Sequence, residues 1–83
     1  MSDSLRVLIV DDERLARHHL RKLLDGIPCV ECVGESPNGE SALAALRLAR
    51  PDVILLDVQM PGLDGLEVVR RIPAESMPAV IFV

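Results

Sequence analysis

Leu5-Arg6-Val7-Leu8-Ile9-Val10-Asp11-Asp12-Glu13 is a run, nearly all apolar and rich in β-branched residues through Val10, that ends abruptly in acid. A run of this kind is expected of a strand covered on both faces. After Asp12 the periodicity changes from strand to helix. Ala16, Leu20, Leu23, Leu24 and Ile27 recur at helical spacing, and Arg14, Arg17, Arg21 and Lys22 fall on the opposite side. Gly26 and Pro28 end that helix.

The same alternation repeats downstream. An alternating segment at about residues 29–35 predicts a second strand, and Pro37-Asn38-Gly39 a turn with Asn38 as helix cap. The next helix turns Leu43, Leu46 and Ala49 inward and stops before Pro51, which disfavours helical geometry in its predecessor. Val53-Ile54-Leu55-Leu56 is a short apolar strand that runs into Asp57. Met60-Pro61-Gly62 is turn chemistry, and Asp64 with Glu67 has capping-box spacing ahead of a helix whose apolar side is Leu66, Val69 and Ile72. Residues 79–83 open a fourth strand after the Pro73–Pro78 loop. The order is βαβαβαβ, an α/β pattern implying a parallel sheet with helices on both faces.

In such sheets ligands bind beyond the carboxyl ends of strands, where the strand order reverses. Asp11 and Asp12 end the first strand and Asp57 ends the third, so neighbouring strands would bring three carboxylates together. Like charges so packed need a cation or a proton. An oxygen-only donor set suits Mg²⁺. Asp57 is the most informative of the three, because a carboxylate closing an apolar strand needs a partner. Asp12 could be only a helix cap, although neither Asp11 nor Asp12 is followed three residues on by Glu or Gln. Asp64 reads as a cap.

Composition narrows the classes. The chain has 83 residues, 49% of them hydrophobic and 27% charged, with Phe82 its single aromatic and a net charge of −4. One small domain is the limit. Aromatic platforms for single-stranded nucleic acid are missing, and the acidic balance argues against contact with DNA or an anionic membrane. No signal peptide or membrane-spanning run is visible, so the cytoplasm is the expected compartment. Cys29-x-x-Cys32 lacks a second ligand pair and falls on a segment read as strand, where positions three apart face opposite ways. Small buried thiols are expected instead. Gly34 to Ser41 nearly matches a phosphate-binding loop, but Glu40 stands at the lysine position and would repel phosphate. His18 is expected on the basic outer face and His19 at the border of the core, neither of them catalytic.

Val10-Asp11-Asp12-Glu13, Leu55-Leu56-Asp57 and Met60-Pro61-Gly62-Leu63-Asp64-Gly65 together resemble the receiver domain of bacterial two-component response regulators. The resemblance covers essentially the whole chain. It implies a flavodoxin-like, doubly wound parallel sheet. It further implies that Asp57 accepts a phosphoryl group from a sensor histidine kinase, with Asp12 a direct Mg²⁺ ligand, Asp11 a metal-site residue acting through water, and Gln59 lending its backbone carbonyl. Such a module is no enzyme beyond catalysing its own phosphorylation and dephosphorylation. Its output would be transcription control by an attached DNA-binding domain. The string Asp12-Glu13-Arg14-Leu15-Ala16-Arg17 is similar to receivers joined to LytTR-type domains, and the basic side of the first helix (Arg14, Arg17, Arg21) is the expected kinase-docking face.

Receivers of this family continue through a fifth strand and two further helices. They carry a Ser or Thr beyond the fourth strand and a Lys ending the fifth. Residues 1–83 are therefore expected to be the N-terminal portion of a single receiver domain, an incomplete sheet whose Val80-Ile81-Phe82-Val83 strand is an apolar edge prone to self-association. Two other readings stand beside this one. The chain could be a self-associating fragment without phosphotransfer, or a Mg²⁺-dependent aspartyl phosphatase resembling the haloacid-dehalogenase class. That class places D-x-D after its first strand, where this chain has adjacent Asp11 and Asp12.

Overall fold

A computed structural model describes residues 4–83. β1 (Leu5–Val10), α1 (Arg14–Asp25), β2 (Val30–Ser36), α2 (Gly39–Ala49), β3 (Val53–Leu56), α3 (Gly65–Arg71) and β4 (Ala79–Phe82) follow in the expected order. A short 3₁₀ turn at Ala74–Ser76 fills the Pro73–Pro78 loop. All strand pairings are parallel and the sheet order is β2-β1-β3-β4. Strand order therefore reverses at β1, which lies between β2 and β3.

Alternation along the strands divides the apolar residues between two faces. Leu8 and Val10 of β1 and Ile54 and Leu56 of β3 join Ala42 and Leu46 of α2, Val68 and Ile72, and Met60 in one core cluster. Each of these side chains except that of Ala42 contributes about 1.5–3 kcal/mol through its burial, so this layer beneath α2 and α3 dominates stability. The opposite face carries Val7, Ile9 and Val53, also buried, with α1 lying across β1 and β2. Cover thins toward β3 and β4 there, where Leu55 is half-buried and Ile81 is 51% exposed.

Several expectations need correction. No residue of α1 is fully buried, and Leu23 and Ile27 are exposed, because the helix rests on the sheet mainly through Ala16, Leu20 and Leu24. Arg17 belongs to that inner side, half-buried, and not to the basic outer face; its long stem lies along the sheet while its guanidinium finds partners. His19 is exposed, like His18. In α3 the inward position is Val68, while Leu66 is 50% exposed. The helix begins at Gly65, so positions 65, 68 and 72 share the face turned to the sheet.

The cysteines also differ from expectation. Cys29 precedes β2 in a left-handed conformation (φ 64°) and is exposed, and Cys32 is half-buried. The β1–β2 register slips between Val7 and Leu8, which pair with Cys32 and Gly34, so Val33 is an extra residue in the β2 edge.

The helix caps follow the sequence. Asn38 Oδ1 accepts from the Ser41 amide at 2.8 Å, and Asp64 Oδ1 accepts from the Glu67 amide at 2.9 Å. Asp64 is thus a cap, as read. α2 ends at Arg50, left-handed at φ 46°, just before Pro51. Among the described residues no helix is long and apolar enough to cross a membrane.

Candidate metal centre

β1 and β3 are adjacent, and each continues its ladder by one residue into acid. The Asp57 amide donates to the Val10 carbonyl at 2.9 Å, and the Asp11 amide to the Ser36 carbonyl at 3.1 Å. Asp57 is therefore anchored against the end of β1 and Asp11 against the end of β2. Asp11, Asp12 and Asp57 each offer a carboxylate oxygen, and these oxygens all lie within 4.8 Å of one another. Asp11 is buried, Asp57 half-buried and Asp12 exposed, so the cluster opens to solvent on the Asp12 side.

The orientation of each acid has a local cause. Asp11 Oδ1 accepts from the Glu13 amide at 2.9 Å, a tight turn that leads the chain into α1. Glu13 is the first flanking residue of α1 and makes no side-chain cap, so neither Asp11 nor Asp12 is spent on the usual capping bond. Asp57 Oδ1 accepts from the Gln59 amide at 3.0 Å. That bond folds the loop after β3 back over its own first residue. Gln59 is exposed, whereas Met60 is buried in the core and ties the loop down. Gly62, at φ 77°, completes the turn with a backbone that a side chain rarely adopts.

Burial raises the Asp57 carboxyl above its usual range; the Gln59 amide opposes this, while the charges of Asp11 and Asp12 and a hydrogen bond with Asp12 raise it further. Two unit charges about 5 Å apart repel by roughly 1 kcal/mol in water and roughly 3 at an effective dielectric of about 20. That is a large load for a small domain. A hard cation would offset it, and the all-oxygen donor set with an open side fits Mg²⁺ better than a softer metal.

The raised carboxyl has a signed consequence for metal-free protein. Its stabilising contribution is complete below the unfolded-state pKa and is lost as pH rises through the higher folded-state value. In chelator, the Asp57→Asn variant should therefore melt above wild type at neutral pH, with the gap closing toward about pH 4. Scanning calorimetry against pH checks this, and a gap that widens in acid contradicts it.

Sequence reasoning found the aspartates but missed two features that shape their setting. Gly65 packs so closely on the β3 end that a Cβ there would lie 2.5 Å from the Asp57 carbonyl oxygen. The inward turn of Arg17 was missed too. A glycine has no hydropathy signal, and an arginine stem has the wrong one.

Comparison with known proteins identifies the family. A family model described as response regulator receiver domain matches residues 7–83. The transcriptional regulatory protein BtsR of Salmonella typhi is 49% identical over 78 residues, covering 94% of this chain and 33% of that protein. The positive alginate biosynthesis regulatory protein of Pseudomonas aeruginosa is 50% identical over 82 residues, covering 94% and 32%. The response regulator domain of Thermotoga maritima CheB superposes with a TM-score of 0.83 at 37% identity, covering 95% of this chain and 59% of that one. The chain thus spans about a third of the length of the curated relatives it matches.

Proposed function

This chain belongs to the response regulator receiver domain family of two-component signalling systems, and from that premise we propose that Asp57 is its phosphoacceptor, with Asp11, Asp12, Asp57 and the Gln59 backbone carbonyl holding Mg²⁺. The observation that carries the reading is the convergence of three carboxylate oxygens within 4.8 Å at the strand-order reversal. Asp57 follows the last residue of β3 directly and is half-buried, whereas Asp11, which follows β1 in the same way, is buried and Asp12 is exposed.

The proposed chemistry is transfer without net redox change. An Asp57 carboxylate oxygen attacks the phosphorus of a kinase phosphohistidine or of a small acyl phosphate. The bond from phosphorus to the donor nitrogen or oxygen breaks, and the donor leaves with that electron pair. The product is an acyl phosphate on Asp57. Mg²⁺, when bound, neutralises charge on the phosphoryl oxygens. The Gln59 amide, through its bond to Asp57 Oδ1, restrains the direction from which the acceptor presents its free oxygen, and Asp11 is pinned beside it through its own carboxylate and amide.

A sensor histidine kinase as donor places the module in the cytoplasm, and by analogy with its relatives the output is transcription control outside this segment. Residues 1–83 are accordingly taken as the N-terminal portion of one receiver domain. Kinase docking falls to the part of α1 that stays exposed, Arg14, His18 and Lys22, since Arg17 and Arg21 are engaged with Glu35. The reading is tested by incubating the chain with acetyl phosphate and Mg²⁺ and weighing it intact. A gain of one phosphoryl group, abolished by chelator, is expected; folded protein that gains none overturns it.

A second copy of the chain is a further partner supported by the sheet. β4 is an edge whose Ala79 and Val83 amides donate inward to β3, which by alternation leaves those of Val80 and Phe82 facing outward. Ile81, Phe82 and Val83 are exposed and no charge interrupts them. The β2 edge, by contrast, carries Glu31, Glu35 and an extra residue, which discourage pairing. Light scattering at micromolar concentration should give a mass above that of one chain, and Ile81→Lys should lower it. A strictly monomeric wild type counts against this.

A further inference from the structure

Arg17 is the one basic residue of α1 whose guanidinium turns onto the backbone of the acidic cluster. Its side chain is 16% exposed, against 49% for Arg21 one turn later. One terminal nitrogen donates to the Asp11 carbonyl oxygen at 2.8 Å, and Nε lies 3.5 Å from a Glu35 carboxylate oxygen. Arg21 holds the other Glu35 oxygen at 3.0 Å. Glu35 immediately precedes Ser36, whose carbonyl accepts from the Asp11 amide.

Asp11 is therefore held on three sides: its amide by β2, its carboxylate by Glu13, and its carbonyl by Arg17. The third bond differs from the others in what it restrains. The Asp11 carbonyl and the Asp12 amide share one planar peptide unit, so fixing the carbonyl fixes the plane from which Asp12 departs. Asp12 is the exposed member of the cluster and depends most on its backbone for direction. A planar fork with several donors can hold a carbonyl and a carboxylate together; an ammonium offers a single point.

We infer that Arg17 is a positioning residue for the cation site, acting through the Asp11–Asp12 peptide, an inference that rests on the reading of Asp11, Asp12 and Asp57 as that site. The competing account is a plain brace between α1 and β2 through Glu35. The two differ in what they do to Mg²⁺ binding. A residue behind the ligands changes metal affinity by about tenfold or more, whereas a brace acts through the pair, so that removing Glu35 would change affinity as much as removing Arg17.

The test is a Mg²⁺ titration of the whole chain by calorimetry, with amide shifts of Asp11, Asp12 and Asp57 followed by NMR, and melting measured separately in chelator. Arg17→Gln should weaken Mg²⁺ about tenfold, and Arg17→Lys should weaken it measurably but less, because an ammonium keeps the charge and loses the fork. Glu35→Gln should lower the melting temperature while keeping Mg²⁺ affinity close to wild type. Unchanged affinity in Arg17→Gln overturns the inference; should that variant not fold, unchanged affinity in Arg17→Lys does so. Equal weakening by Glu35→Gln makes Arg17 only a brace and also overturns it. A wild-type chain that binds no Mg²⁺ removes the cation site itself, an outcome distinct from the other two.

Discussion

Asp57→Asn should take up no phosphoryl group from acetyl phosphate and Mg²⁺ under conditions that label wild type, a loss of at least about a hundredfold in rate. The substitution keeps the shape of the side chain and removes its nucleophilic oxygen. It also removes one of three clustered charges, so the variant should fold at least as well as wild type, and a missing label cannot be blamed on unfolding. Asp11 and Asp12 are poor substitutes as acceptors. Asp11 is buried with one oxygen held by the Glu13 amide, and Asp12 projects from the exposed rim with no strand end behind it. Undiminished label on Asp57→Asn would move the acceptor to one of them. Steady phosphate release from a phosphomonoester would instead favour the aspartyl phosphatase reading, which the adjacent Asp11-Asp12 pair already disfavours. Intact mass before and after hydroxylamine, which cleaves acyl phosphates, separates these outcomes.

The site was legible in the sequence because its signal is a discontinuity. Leu5–Val10 and Val53–Leu56 are apolar runs closed by acid, and both strands begin and end where those runs do. The βαβ order makes the strands parallel, while the adjacency of β1 and β3 that brings the three carboxylates together is seen in the sheet order. The residues that failed are those whose chemistry is ambiguous without a neighbour. Arg17 reads as surface by charge, yet its apolar stem and donor fork suit the inner side of α1 once Glu35 and the Asp11 carbonyl are within reach. Cys29 reads as strand by alternation, but the chain enters β2 through a left-handed residue and β2 gains one position at Val33. In α3 Ile72 and Val69 do meet the core as expected, but Leu66 is exposed and Val68 takes the inner place, because the position that makes the closest contact, Gly65, has no side chain to announce it.

That contact supports the second large expectation, a loss of about 2 kcal/mol in Gly65→Ala. A methyl at this position would lie 2.5 Å from the Asp57 carbonyl oxygen and 3.0 Å from the Val58 Cα, both backbone atoms that cannot rotate away. The Gly65 amide is simultaneously bonded to the Val58 carbonyl at 3.0 Å, so α3 cannot retreat without breaking that bond. Against this, alanine gains at most about 1 kcal/mol of helix propensity, and less in a first turn. The clash wins. For a chain of this length total stability is about 4–12 kcal/mol, so the loss shifts the urea midpoint clearly, whereas Leu66→Ala, an exposed neighbour on the same helix, should shift it little. The displaced atoms include the Asp57 carbonyl group, so the variant should also accept phosphoryl groups more slowly than its stability alone requires. Equal midpoints for Gly65→Ala and wild type would mean that α3 does not press on the end of β3, and the β3–α3 loop would lose its part in aiming the acceptor.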